Sequence, residues 1–209
     1  VALHALETGD FEAGKSVGII GMGPVGMLAA KAAGAMGASF IAGCDTDSTP
    51  IRLALEGGIE HAINGGSEEL LRTLKGSNRQ GVDLIIDTVG TYESIEYGLK
   101  ALDKRGAVVL LAVHGESLPF KPLLLNGERK VITSANNRYK DFTSATQLLA
   151  DRRIEVEHLI THRFNLQDAA EAFRVMQNKE EEQAFKVILS PCVLSPAFNP
   201  GNGIRLNGR

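Results

Sequence analysis

The chain has 209 residues, enough for one large domain or for one domain with an appendage. Its apolar share of 44%, charged share of 22% and net charge of −3 are those of an ordinary globular protein and offer no basic surface to nucleic acid or anionic lipid. No apolar run reaches the length of about 18 residues that marks a membrane span, the first residues lack a signal-peptide pattern, and two distant cysteines, Cys44 and Cys192, exclude a disulfide framework or an all-cysteine zinc cluster; a soluble, cytoplasmic α/β protein is expected.

In chain order, residues 1–15 read as a lead-in helix. From Ser16 onward, short apolar runs alternate with helical patterns. "SVGII" (16–20), "SFIAGC" (39–44), "EHAIN" (60–64), "VDLIID" (82–87), "GAVVLLAV" (106–113) and "KVITS" (130–134) predict six strands. They are apolar throughout, the mark of strands covered on both faces. Helices are predicted over 24–36, 48–56, 67–75 and 92–103, and a Pro-containing connection over 117–129. This alternation requires a parallel sheet, wound right-handedly with helices on both faces. The fold class predicted for 16–140 is therefore a doubly wound α/β domain of Rossmann type, because six strands complete a dinucleotide-binding sheet. Beyond it, residues 141–190 change rhythm: a helix at 141–153, a strand at 157–164, a helix at 165–178 capped by Asn165, and a strand at 184–190. Residues 191–209, rich in Pro, Gly and Asn, predict an irregular tail.

The turn after the first strand, "GMGPVG", places Gly21, Gly23 and Gly26 in a G-x-G-x-x-G pattern between a strand and a helix. In that context Gly21 permits the tight turn, Gly23 lets a diphosphate approach the main chain, and Gly26 lets the helix pack on the strand. Pro24 suits the first helical position, and the N–H groups that follow, beginning with Val25, face a bound anion. The second strand ends in Asp45, nineteen residues after Gly26 and close to the spacing of about 20 expected for a ribose-binding acid. A carboxylate there accepts both ribose hydroxyls and repels a 2′-phosphate, which favours NAD over NADP. Asp47 reads instead as a turn or N-cap residue, and Cys44 as a buried, inert thiol.

The segments "GKSVGIIGMGPVGMLAAKAAGAMGAS", "VDLIIDTVG", "GAVVLLAVHG" and "LITHRFNLQDAAEAF" together resemble the cofactor half of the medium-chain, zinc-type alcohol and polyol dehydrogenases, with the polyol, threonine and sugar dehydrogenase branches nearest. The resemblance implies that Asp45 binds ribose and that Asp87, Thr88 and Val89 lie beneath the adenosine and nicotinamide ribose. It implies that Ala112, Val113 and His114 form the strand end whose backbone holds the nicotinamide carboxamide, with Ser134, Ala135 and Asn136 at the neighbouring strand end, and that Lys186 lies near the pyrophosphate. Where that family commonly carries Arg or Lys against the adenosine this chain has Pro50, leaving Arg52 to cover the same face.

In the family resembled, the catalytic zinc and proton relay belong to an N-terminal domain, and the lead-in helix leaves that domain. Its Cys, His and Cys or Glu ligands precede the segment matching "ALHALE", and no such set occurs here. The five histidines, His4, His61, His114, His158 and His162, are scattered, so no metal or catalytic residue is assigned. No G-x-S-x-G elbow or Walker loop occurs either. Two functions follow as expectations. One is the NAD-binding half of a zinc-type dehydrogenase, inactive alone, with zinc only in a full-length parent and an alcohol or polyol as that parent's substrate. The other is a noncatalytic dinucleotide-binding sensor or assembly module. Loss of the partner domain predicts partial exposure of Leu3, Leu6, Phe164, Leu166 and Phe173, and hence a homo-oligomer.

Overall fold

The structure, a computed structural model, describes residues 1–77, 79–112, 114–115 and 121–191. Its elements are α1 (Ala2–Thr8), β1 (Ser16–Ile20), α2 (Pro24–Ala35), β2 (Phe40–Asp45), α3 (Ser48–Glu56), β3 (His61–Asn64), α4 (Ser67–Gly76), β4 (Val82–Asp87), α5 (Tyr92–Ala101), β5 (Leu102–Leu110), β6 (Lys130–Thr133), α6 (Tyr139–Ala150), β7 (Ile160–Asn165), α7 (Ala169–Gln177) and β8 (Lys186–Ser190). The first six strands form one sheet in the order β3-β2-β1-β4-β5-β6, parallel at every pairing. This is the predicted Rossmann-type α/β sheet. Because it is parallel throughout, the carboxyl ends Ile20, Asp45, Asn64, Asp87, Leu110 and Thr133 share one edge. The strand order reverses between β1 and β4, which opens a crevice at that edge.

Burial explains the apolar runs. All five residues of β1 are buried, and β4 is buried at every position but Asp83. On one face Ile85 and Val108 pack with Leu70 and Leu74 of α4 and Leu99 of α5. On the other, Leu84 and Val109 lie directly beneath Gly9 at the end of α1. Neighbouring residues of one strand thus face different helical layers, so polar alternation has no place in it.

Several boundaries differ from those the sequence predicts. The helix predicted to reach 103 ends at Ala101, and β5 spans 102–110 rather than 106–113. The polar triplet Asp103-Lys104-Arg105 reads as a helix end but is a step in the strand. Pairing with β4 shifts register between Val82 and Leu84, and Arg105 takes a left-handed φ of 66° while its N–H donates to the Gly127 carbonyl at 2.8 Å. The helix predicted from 141 begins at Tyr139, where the Asp141 carboxylate accepts the Arg138 N–H at 2.6 Å. The strand predicted at 157–164 divides into a 3-10 turn (Glu157–Leu159) and β7. Asn165 precedes a 3-10 turn, Leu166–Asp168, so the residue capping α7 is Asp168.

Residues 1–154 make one compact unit, and a second begins at Glu155. In the second, β7 and β8 pair in parallel, and α7 closes a small core of Phe164, Ala172, Val175 and Ala184. The exposure expected along these segments is divided. Leu6 and Phe164 are buried, whereas Leu166 is 54% and Phe173 67% exposed.

Candidate functional site: a dinucleotide cradle

The turn between β1 and α2 has a glycine wherever the backbone allows nothing larger. Gly21 sits at φ +86°, and a Cβ there would lie 2.2 Å from Thr88 Oγ1. At Gly26 a Cβ would lie 2.0 Å from the Gly21 carbonyl oxygen, a collision with main chain that no side-chain rotation relieves. Gly23 differs, because no atom lies within 4 Å of the position its Cβ would take. Fold packing therefore demands Gly21 and Gly26, while Gly23 leaves the backbone bare on an open side. Pro24 occupies the first turn of α2 after Gly23, and Val25 is 37% exposed. The N–H groups of that turn and the positive end of the helix dipole make an anion cradle. Thr88 holds it from below, donating from Oγ1 towards the Ile20 and Gly21 carbonyls at 3.1 and 3.0 Å.

Asp45, at the end of β2, stands beside the cradle. Its Oδ2 accepts the Met22 N–H at 2.8 Å and its Oδ1 the Asp47 N–H at 2.9 Å, which fixes the carboxylate at the cleft wall. A carboxylate has about four acceptor sites, so two remain for hydroxyl donors. Asp47 caps α3, accepting the Thr49 N–H at 2.9 Å. Next to Asp45 opens a cleft of about 240 Å³, lined by Ile20, Gly21, Cys44, Asp45, Thr46, Gly65, Gly66, Ser67, Val89, Thr91, Glu93 and Ser94. Among the described residues, two carboxylates, Asp45 and Glu93, and no cation line it. Arg52 is not among its walls; it lies exposed on α3, 3.0 Å from Glu56. The Cys44 thiol is buried, and burial pushes its pKa up to about 12, with the Asp45, Asp87 and Glu69 charges adding to the rise. It is an inert part of the floor.

Asp87 ends β4 with no exposed surface. Its Oδ1 accepts the Val89 and Gly90 N–H groups at 2.8 and 3.0 Å, and its Oδ2 accepts the Ser94 hydroxyl at 2.7 Å. Burial pushes its carboxyl pKa up, against the pull of these three bonds. Asp87 thus works inside the loop, holding Val89, which is 39% exposed, in place. The following loop is tied to it: Leu111 N–H donates to the Asp87 carbonyl at 2.9 Å, and His114 Nε2 lies 2.9 Å from the Val89 carbonyl. Gly90, at φ +72°, sits so close to Ala112 that a Cβ would approach its carbonyl oxygen to 2.2 Å. Val113 lies outside the described residues. At the end of β6, Ser134 is buried and its Oγ has no hydrogen-bond partner among the described residues. Ala135 and Asn136 beside it are exposed, Asn136 at φ 61°. Lys186 opens β8 in the second unit and is exposed.

The site therefore joins Gly21, Gly23, Gly26, Asp45 and Thr88 directly, with Asp87, Val89, Ala112 and His114 forming the adjoining wall. Sequence reasoning missed Thr46, Ser67, Thr91 and Glu93. The signal for them was the position of Gly65-Gly66-Ser67 and Thr91 immediately after predicted strands, at the edge where a doubly wound sheet binds ligands.

Among the described residues, one trio of metal-ligating side chains converges: His4, Glu7 and Asp141 hold one ligand atom each within 4.8 Å of one another. Cations already fill it. Arg138 Nη2 lies 2.6 Å from Glu7 and 3.2 Å from His4 Nδ1, and Lys140 also bonds Glu7. A catalytic zinc takes three free protein ligands and keeps a fourth position open, but here His4 and Glu7 are already engaged by Arg138 and Lys140, and the described residues do not fit it.

A sequence model described as zinc-binding dehydrogenase matches residues 24–151. The chain belongs to the zinc-binding dehydrogenases. Within this medium-chain alcohol and polyol dehydrogenase family it corresponds to the C-terminal, cofactor-binding half. Human sorbitol dehydrogenase is 31% identical over 181 residues, which cover 85% of this chain and 50% of that protein. An alcohol dehydrogenase from Thermus sp. ATN1 superposes with a TM-score of 0.80 at 26% identity, over 90% of this chain and 55% of that one. A zinc-binding dehydrogenase from Sinorhizobium meliloti 1021, solved bound to NADP, superposes with a TM-score of 0.78 at 26% identity, covering 91% of this chain and 56% of that one. The chain spans about half the length of the curated zinc-binding dehydrogenases it matches. No helix among its described residues is long and apolar enough to cross a membrane.

Proposed function

We propose that the chain is the NAD-binding half of a zinc-type alcohol or polyol dehydrogenase, and that it supplies the hydride carrier for oxidation of a secondary alcohol. The observation that carries this reading is the coupling of Asp45 to the glycine turn, through Met22 N–H at 2.8 Å, at the carboxyl edge of a complete six-stranded sheet. Bound NAD would supply a hydride acceptor. The chain's own part is to hold the diphosphate on the Gly21–Gly26 turn and the first turn of α2, to accept the adenosine ribose hydroxyls on Asp45, and to position the remaining half along the Asp87–Gly90 loop and the adjoining Leu111 and Ala112. Since one relative binds NADP, family membership leaves the choice of dinucleotide to local chemistry. Among the described residues, Asp45 and Glu93 line the adenosine cleft without a cation, which disfavours a 2′-phosphate.

Because the described residues do not fit zinc, no step is routed through one, and the isolated chain is expected to bind dinucleotide without turning over alcohol. The exposed Leu166 and Phe173, together with the edge strand β6, favour a homo-oligomer in solution, and the compartment proposed is the cytoplasm. Calorimetric titration with NAD and NADP tests the central claim. The wild type should prefer NAD, and Asp45→Ala should lose roughly tenfold or more in NAD affinity, as expected for hydrogen bonds to a charged acceptor. Tighter binding of NADP by the wild type would overturn the assignment, and turnover of a polyol by the isolated, zinc-loaded chain would overturn the expected inactivity.

A further inference from the structure

The end of the sheet remote from the glycine turn holds a cleft that the dinucleotide reading does not use. It has a volume of about 750 Å³, and Lys104, Arg105, Gly127, Glu128 and Arg129 are among its walls. Lys104 and Arg105 lie near the start of β5 and residues 127–129 lead into β6, so the cleft opens at the amino edge of two parallel strands. The backbone around it is set in an uncommon way. Arg105 and Glu128, neither of them glycine, take left-handed φ values of 66° and 63°, and Gly127 stands at +88°. Such conformations persist where the surroundings fix them. Here the Arg105 N–H donates to the Gly127 carbonyl at 2.8 Å, and Arg105 Nε meets Glu128 Oε2 at 3.0 Å.

Charge does not balance in this cleft. Glu128 answers Arg105, but Arg129 has no carboxylate partner among the described residues. Its half-buried guanidinium donates only to neutral main chain: Nη2 to the Leu102 carbonyl at 2.7 Å, and more weakly Nε to Asp103 at 3.4 Å and Nη1 to Leu124 at 3.5 Å. A guanidinium has five N–H donors, so two remain. The Lys104 ammonium group makes no hydrogen bond or ion pair among the described residues. Two positive charges are left without a counter-charge, and one of them is partly withdrawn from water, where an unpaired charge is costly. A neighbouring cleft of about 190 Å³, which shares Lys104 and Arg105, shows the contrast. Its other cations are taken, Lys130 by Asp10 at 3.3 Å and Lys15 by Glu12 at 3.7 Å.

A phosphate monoester dianion carries the charge that the larger cleft lacks, and its oxygens suit a guanidinium fork and an ammonium group. The volume is that of a small-molecule site rather than of a bare ion, and Leu123, 80% exposed at the wall, offers apolar surface to an organic part. The Arg105–Glu128 pair is exposed on both sides, so it contributes little and opens readily to a ligand.

We propose that this cleft binds a small phosphorylated metabolite, with its phosphate on Lys104 and Arg129 and its organic part against Leu123. The site lies at the sheet edge opposite Asp45 and stands apart from the NAD reading. Ribose 5-phosphate is the probe, titrated calorimetrically into the full chain at low ionic strength beside inorganic phosphate and ribose. The ester should bind more tightly than inorganic phosphate, and ribose should not bind. Lys104→Ala should weaken the ester about tenfold, as loss of a hydrogen bond between charged groups does, and Lys104→Arg should restore most of it. Lys104 has no partner to lose, so both variants keep the fold. In ¹⁵N-arginine NMR spectra the ester should move the Arg129 Nε resonance, a readout that leaves the three supported carbonyls untouched. Saturating ADP-ribose should leave the ester's affinity within about twofold. Competition between them would place the ester in the glycine turn and overturn the proposal. No binding by the wild type, an affinity indifferent to Lys104→Ala, or inorganic phosphate binding as tightly as the ester would each overturn it as well.

Discussion

The ends of β2 and β4 carry the same residue in the same role on paper, an aspartate closing an apolar strand, and the fold uses them in opposite ways. Asp45 is half-buried and accepts two backbone N–H groups, which aim its carboxylate at an open cleft. Asp87 accepts three donors and has no exposed surface, so no ligand reaches its carboxylate. One aspartate is aimed by the backbone at open space, where we propose that it binds ribose. The other is a structural pin that holds Val89 and Gly90, and His114 lies against the Val89 carbonyl. Depth decides between them: a carboxylate keeps free lone pairs where solvent reaches it and must satisfy them internally where it does not.

Truncation should separate the two ends most sharply. Asp87→Ala leaves the Gly90 and Val89 N–H groups without their acceptor, the first of them buried, and leaves the Ser94 hydroxyl only the Thr91 carbonyl at 3.0 Å; it is expected to cost about 3 kcal/mol of unfolding free energy. Asp45→Ala should cost about 1 kcal/mol and act mainly on ligand affinity. Urea unfolding of both variants measures this; equal losses would erase the distinction. The glycine turn offers the next contrast. Gly26→Ala forces a Cβ to within 2.0 Å of the Gly21 carbonyl and should destabilise the fold by about 2 kcal/mol. Gly23→Ala meets no atom within 4 Å, so stability should hold within about 1 kcal/mol while NAD affinity falls roughly tenfold, because the added methyl group occupies ligand space. Thermal melts set beside titrations separate a glycine needed for folding from one needed for binding.

These contrasts mark what the sequence could disclose. The six-stranded sheet was legible because burial on both faces removes polar residues, as in "SVGII" and "VDLIID". The glycine turn was legible because its constraints are local, all within residues 21–26. The start of β5 was not, since the solvent-facing step at Asp103-Lys104-Arg105 carries the polarity of a helix end. The sealed state of Asp87 was hidden for a deeper reason: its burial is made by strands and helices remote in sequence. The His114–Val89 link likewise joins two strand ends, and no local pattern announces it. Leu6 and Phe164, expected at an uncovered surface, instead found cover in the cores of their own units.

Acid titration gives a smaller effect, with a definite sign. Burial raises the Asp87 carboxyl pKa above its ordinary 3.8, so the folded state holds that proton more tightly than the unfolded chain. The resulting stabilisation is fully present below pH 3.8 and is lost as pH rises through the folded-state value. Compared with Asp87→Asn, which cannot ionise, the wild type should therefore lose relative stability between about pH 4 and about pH 7. Urea midpoints for the pair at both pH values provide the check. A gap that moves in favour of the wild type would mean that the three donors outweigh desolvation, making Asp87 the more comfortable as an anion.

The smallest expected effect concerns Arg52, expected from the sequence to cover the adenosine face where the family's cation is replaced by Pro50. On α3 it is exposed and paired with Glu56 one turn on, and it forms no part of the cleft lined by Asp45 and Glu93. An exposed i,i+4 pair contributes about 0.3–0.5 kcal/mol, so Arg52→Ala should barely shift the melting temperature. The consequential reading is affinity. If the cleft recognises adenosine through carboxylates and backbone alone, the variant should bind NAD within about twofold of wild type, since no single hydrogen bond is lost. A tenfold loss would show that Arg52 leaves Glu56 to cover the adenosine. It would also place a cation within reach of a 2′-phosphate, which weakens the case for NAD that Asp45 makes from the end of β2.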